Sequence, residues 1–142
     1  AHDLGATATI DPAAGDVAAR IAEITGAPGV EYAIEAAGSA PAFETAIAST
    51  APGGTAVAVG LSRAGTSVAV PYGPLVVGEK TIRGSFMGSS VAQRDIPRYI
   101  GLWRAGRLPV ERLISGFVAL DGLNEAFDRL ANGEVVRTLC RL

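Results

Sequence analysis

The sequence is poor in the residues that most catalytic and metal centres need. Among 142 residues there is one cysteine, Cys140, and one histidine, His2. A single cysteine excludes an intrachain disulfide and favours a reducing, cytoplasmic setting. One His and one Cys at opposite ends of the chain cannot make a zinc site between them. A Ser or Cys triad would have no imidazole placed to serve it. His2 reads as a solvent-exposed side chain at a frayed terminus, and Cys140 as a structural thiol on a buried strand. No apolar run reaches membrane-spanning length, and no charged-then-apolar signal segment opens the chain. Charge of one sign is also missing. Twelve Lys and Arg are scattered against fourteen Asp and Glu, for a net charge of −2, which leaves no basic footprint for nucleic acid or an anionic membrane. No Gly-x-Gly-x-x-Gly joins a strand to a helix, and there is no P-loop.

What is present is apolar and rich in glycine: 49% hydrophobic residues and 18 glycines. The length suits a single domain, residues 1–142, long enough to bury a core without staples. Ala1–Gly5 lacks an initiator Met and reads like the last turn of a helix with its Gly cap, as in a piece of a longer chain. Ala6–Ile10 is a strand candidate, broken by Asp11-Pro12. Val17, Ala18, Ile21, Ala22 and Ile24 recur at helical spacing over residues 15–25. Val30–Gly38 reads as a strand. Ser39 then caps a helix running to about Thr50, with Pro41 in its first turn. Pro52-Gly53-Gly54 makes a turn into Thr55–Gly60, a short β-branched run that suits a parallel strand covered by helices on both faces. Strand, helix, strand, helix, strand with short connections predicts βαβ units and a parallel sheet.

The pattern then loosens. Ser62–Val70 reads as a loop, and Leu75–Val77 as helical or extended. Lys80–Met87 reads as a strand. Arg94–Ala105 is an amphipathic helix with Ile96, Tyr99, Ile100 and Trp103 on its apolar side. Ser115–Leu120 is extended, Asp121 caps a helix ending at Asn132-Gly133, and Val135–Leu142 is a last strand.

Three features could carry chemistry. Glu35 sits in an otherwise apolar strand, where a charge is costly. It either meets a partner at the strand end, faces solvent, or serves as an acid or base with a perturbed pKa. Gly38, Gly60 and Gly88 end strands, where a ligand can approach the backbone of an open α/β sheet, although turn glycines look the same. Arg137, inside the apolar run Val135–Leu139, either faces water from an edge strand or grips an anion such as phosphate.

Several pieces, in order and suitably spaced, resemble the zinc-dependent medium-chain alcohol dehydrogenase family. They are Leu4-Gly5-Ala6-Thr7, Gly29–Gly38, Gly53–Gly60, Lys80–Ser85, Asn124-Glu125-Ala126-Phe127 and Gly133–Arg137, and together they span almost the whole chain. Asp95-Ile96-Pro97 and Gly106-Arg107-Leu108 look most like its class I/III branch. The resemblance implies an α/β fold: a partial Rossmann-type, doubly wound parallel sheet lacking its first two strands and their Gly-rich loop. It implies the C-terminal, cofactor-binding portion of an NAD-linked enzyme that oxidises a primary or secondary alcohol by hydride transfer. The family's catalytic zinc is held by a domain that these residues do not include, so the chain alone is expected to be inactive.

By the same resemblance, Arg137 contacts the cofactor pyrophosphate. Val59, Gly60 and Leu61 line the nicotinamide, Ser85 and Met87 bind or flank its carboxamide, and Ala37, Gly38 and Ser39 border the adenosine ribose. Ser39 stands where the family often has a cationic side chain. The Ala6–Ile10 strand would lack its usual neighbours, so its partner comes from elsewhere or the segment moves. Lys80–Met87 would be an edge strand pairing across a two-fold axis, which implies a homodimer. Two other readings stay open: a non-catalytic dimerisation or interaction module, and a fragment of a zinc-independent quinone reductase-like enzyme.

Overall fold

The computed structural model describes residues 1–142. Ala1–Ser89 and Ser90–Leu142 form two compact units.

In the first unit, helix α1 (Val17–Thr25) is capped by Asp16, whose carboxylate accepts the N–H groups of Ala18 and Ala19, and it closes on a left-handed Gly26. Strand β1 (Val30–Glu35), helix α2 (Ala40–Ser49) and strand β2 (Thr50–Ala58) follow, then helix α3 (Tyr72–Val77) and strand β3 (Thr81–Gly84). The three strands make one sheet in the order β1-β2-β3, and both pairings are parallel. The strand–helix–strand rhythm thus gives the α/β class expected of it. Ser39 occupies the cap position of α2, but its hydroxyl makes no capping bond. At the far end of that helix, Lys80 Nζ donates to Ile47 O at 3.0 Å, a cation placed where the helix dipole is negative.

Several expectations change. Residues 6–10 form no strand. An extended segment becomes a strand only by pairing, and no ladder reaches this one. The His2 ring instead holds it locally, bonding Ala6 O at 2.9 Å and Thr9 Oγ1 at 3.1 Å. Pro52-Gly53-Gly54 is not a turn before the strand but an excursion within β2. Val30 pairs with Thr50 and Tyr32 with Thr55, so the extra residues bulge out while the Gly53 N–H donates to Gly78 O at 2.8 Å. The Lys80–Met87 strand shortens to Thr81–Gly84, because Met87, Gly88 and Ser89 all adopt left-handed backbone. Nor is the sheet covered on both faces. Ala56 and Ile47 are buried, but Tyr32 and Ile34 on β1 are 70% and 67% exposed.

The second unit contains helix α4 (Ala92–Arg104), strand β4 (Gly116–Ala119), helix α5 (Leu123–Ala131) and strand β5 (Thr138–Arg141). β4 and β5 pair in parallel. Asp121 does not cap α5; it lies in a 3-10 turn, and Gly122 holds the cap position. The last strand begins at Thr138, not Val135. Just before it, the Ser115 hydroxyl takes the N–H groups of Val136 and Arg137 that a ladder would have used. Cys140 is exposed rather than buried. A short two-stranded pair has no second layer deep enough to cover it.

The core is thin. Its buried apolar residues are Ile47, Ala56 and Ala126. No helix is long and apolar enough to cross a membrane.

Candidate functional site

The carboxyl ends of β1, β2 and β3 lie side by side because the strands are parallel and adjacent. That edge is where open α/β sheets expose backbone to ligands. It carries Ala37-Gly38-Ser39 after β1, Val59-Gly60-Leu61 after β2 and Ser85 after β3. Ser85 is tied in by its N–H, which donates to Ala58 O at 2.8 Å.

The first two exits interlock through their glycines. A Cβ on Gly38 would stand 2.3 Å from Leu61 O, and one on Gly60 would stand 2.1 Å from Gly38 N. Both contacts are with backbone, so no side chain could yield. The two glycines are therefore required by each other's approach, a different reason from the ligand approach expected of them. Gly88 has φ +70°, and a Cβ there would meet nothing within 4 Å, so it answers a turn rather than a contact.

Glu35 closes this corner. It ends β1 and is 5% exposed. Its Oε1 accepts the Ala37 N–H at 2.6 Å and the Ser39 N–H at 3.3 Å. Its main-chain oxygen accepts the N–H groups of Val59 at 2.8 Å and Gly60 at 3.1 Å. Of the three readings open for this residue, the structure supports a partner at the strand end. Beside it is a cavity of about 190 Å³, walled by Phe43 and Val68 and bordered by Gly38 and Gly60. The loop over that cavity is tethered by Glu44, whose Oε1 accepts the Ala69 N–H at 2.8 Å.

These bonds decide what the edge can offer. The Val59 and Gly60 N–H groups are committed to Glu35, so this backbone can present carbonyl acceptors to a ligand but not those two donors. Leu61 and Met87 are 79% and 71% exposed, and they add apolar surface beside the exits. Met87 sits in the left-handed region with φ 49°, an uncommon conformation for a side-chain-bearing residue.

Arg137 belongs to the second unit. Its backbone is pinned by Ser115, whose N–H donates to Arg137 O at 2.7 Å. Its side chain is exposed and takes part in none of the ion pairs, which leaves the guanidinium available to an anion.

The same unit holds a buried carboxylate that its sequence context does not announce. Asp95, 6% exposed, accepts from Arg94 Nη2 at 2.7 Å, Arg94 Nε at 2.8 Å and the Val91 N–H at 2.8 Å. Arg94, and then the Val91 N–H, hold its carboxyl well below the usual carboxylate range; Arg94 is raised in turn by the same contact. The available signal was an acid in the first turn of a helix, with one arginine just before it and another three residues after.

No three His, Cys, Asp or Glu side chains gather where they could hold a metal ion. These residues do not fit a zinc centre.

A family model described as zinc-binding dehydrogenase matches residues 1–104. Geraniol dehydrogenase of Castellaniella defragrans is 36% identical over 138 residues, 96% of this chain and 36% of that protein. The crystal structure of benzyl alcohol dehydrogenase from Acinetobacter calcoaceticus superposes with a TM-score of 0.91 at 30% identity, covering 99% of this chain and 38% of that one. A putative zinc-binding dehydrogenase from Sinorhizobium meliloti, bound to NADP, gives 0.82 at 31% identity over 99% of this chain and 41% of that one. The chain thus spans little more than a third of the length of such relatives.

Proposed function

Because the chain belongs to the zinc-binding dehydrogenase family, we propose that it is the nicotinamide-facing portion of the nucleotide-binding domain of an NAD-linked alcohol dehydrogenase. The observation that carries this reading is the grouping of Ala37–Ser39, Val59–Leu61 and Ser85 along one carboxyl edge of a parallel sheet. When bound, the nicotinamide would accept a hydride from a primary or secondary alcohol. The chain's own part is to hold and orient that cofactor. The carbonyls at Val59 and Gly60 suit a carboxamide NH₂, with Ser85 and Met87 flanking it. Leu61 shields a ring face from water, Ala37–Ser39 border a ribose, and Arg137 suits a pyrophosphate.

With no metal-binding cluster of its own, the chain by itself turns over no alcohol in this reading. It works in the cytoplasm, as a homodimer paired through the Lys80–Met87 segment. The outer edge of β3 supports that pairing, since the sheet ends there, and Ile82 and Arg83 are exposed.

Titration of the chain with NADH, followed by nicotinamide fluorescence and calorimetry, tests the reading. Saturable binding is expected, and it should weaken when Arg137 is replaced by Ala. A charged-pair contact to phosphate should be worth roughly tenfold in affinity. Absence of binding would instead favour the second reading, a non-catalytic interaction module. The unpaired outer edges of β1 and β3 and the exposed Tyr32 and Ile34 favour that alternative, since open, apolar sheet edges recruit partners.

A further inference from the structure

We infer that Glu35 is a positioning residue, which couples the exits of β1 and β2 into one rigid ligand-facing rim. The inference rests on the reading that this rim faces a nicotinamide cofactor, and it adds a role for a residue that would not itself touch it.

Glu35 uses two different acceptors on two different chain segments. Its side chain holds its own exit, through the Ala37 and Ser39 N–H groups at 2.6 and 3.3 Å. Its main-chain oxygen holds the neighbouring exit, through the Val59 and Gly60 N–H groups at 2.8 and 3.1 Å. The carboxylate's second oxygen points the same way, because a Cβ on Gly60 would lie 2.9 Å from Oε2. The side chain thus fills the space behind Gly60 and leaves that glycine no freedom to retreat.

Burying a carboxylate is costly, and bonds from backbone N–H groups to a charged acceptor are about twice as strong as neutral ones. That cost falls at the one place where two backbone segments meet. Solvation of the side chain would release the β1 exit first. The β2 exit would follow, since Gly38 and Gly60 are packed backbone to backbone.

Alanine at position 35 keeps the main-chain carbonyl that Val59 and Gly60 use. A purely local role for the side chain would therefore expose only the amides of Ala37 and Ser39. A positioning role requires Val59 and Gly60 to loosen as well.

Amide hydrogen exchange by NMR on the full chain reads this out, with Glu35→Ala, Glu35→Asp and Glu35→Gln compared with the wild type. Ile47→Ala serves as a core-destabilised control. Exchange at all four amides is expected to quicken roughly tenfold or more in Glu35→Ala. Gln, which retains an acceptor oxygen at the same reach, should restore most of the protection. If Glu35→Ala does not fold, Glu35→Asp is read in its place, because the shorter side chain cannot hold Ala37 and Ser39 in the same geometry. Unchanged protection at Val59 and Gly60, or a loss no different from that in Ile47→Ala, would overturn the inference.

NADH titration of the same samples separates the two levels. If the wild type binds, affinity should fall about tenfold in Glu35→Ala and recover in Glu35→Gln; undiminished binding in Glu35→Ala would refute the positioning role. If the wild type shows no shift at Val59–Leu61, the cofactor reading fails, and the exchange pattern still decides whether Glu35 couples the two exits.

Discussion

Glu35 and Asp95 are equally buried carboxylates, one in each compact unit, and they are satisfied in opposite ways. Asp95 is held by its own neighbourhood: the N–H of Val91 at the start of α4 and two nearby arginines, Arg94 closely and Arg98 at 3.5 Å. Its network stays close to the first turns of one helix. Glu35 has no cation at all. It takes backbone donors only, and its residue spans two strands. An acid compensated by arginine near a helix start stabilises that start. An acid that takes the N–H groups of its own strand exit, on a residue whose main-chain oxygen takes those of the next, fixes where the two exits stand. The first arrangement could be moved to many helices; the second has meaning only at a junction.

The largest expected effect breaks the Glu35 corner without touching Glu35. Gly60→Ala would press a methyl group into Gly38 N and Oε2, and unfolding of the first unit should become easier by on the order of 3 kcal/mol. Gly38→Ala should match it. The double variant should cost less than the sum, since either methyl group already forces the same two backbone segments apart; urea unfolding followed by circular dichroism measures all three. Gly88→Ala sharpens the contrast, because only its left-handed backbone resists. A loss of about 1 kcal/mol is expected there.

Smaller effects are expected around Asp95, whose partners are open to water; Arg94 is 60% exposed, which screens the pair. Arg94→Ala should loosen the start of α4 measurably, and Arg98→Ala less, matching the longer contact. Trp103, on the same helix, reports both by fluorescence.

Acid gives a further test. The Asp95 carboxyl is held below its unfolded value, so its stabilisation is complete above about pH 4 and drains away as pH falls beneath that. Trp103 fluorescence should show α4 loosening on acidification, and Asp95→Asn should remove that part of the pH dependence. A pH profile indifferent to Asp95→Asn would mean that the ion pair carries no stability.

Much of this was legible in the sequence. Apolar runs and helical spacings located β1, β2, α1, α2 and α4, because those signals are local. Glu35 stood out because a charge in an apolar strand needs a reason. Its carboxylate's partners, Ala37 and Ser39, are close in sequence, whereas those of its main-chain oxygen, Val59 and Gly60, were illegible, since they depend on which strand lies alongside. The same holds for Gly38 and Gly60, whose need for each other exists only once β1 and β2 are parallel neighbours. Ala6–Ile10 failed as a strand for the converse reason: its composition suits β structure, but pairing is supplied by other chain segments. Asp95 was missed although its arginines are close in sequence, because an acid near a helix start reads as a solvated side chain until its burial is known. The reach of Ser115 across to Val136 and Arg137 likewise has no local sign.

The excursion in β2 has a consequence for engineering. The strand loses register at Pro52-Gly53-Gly54 and regains it at Thr55, while Gly53 is exposed, has φ 74° and would meet nothing within 4 Å if it carried a Cβ. Additional residues at that point, a peptide epitope or a tag, would lengthen a detour that already exists. The ladder from Thr55 to Ala58 would keep its alignment with β1, and Val59–Leu61 would leave the sheet where they do now. Of the places in the first unit where foreign sequence could be grafted, this one lies at the opposite end of β2 from the exits that matter.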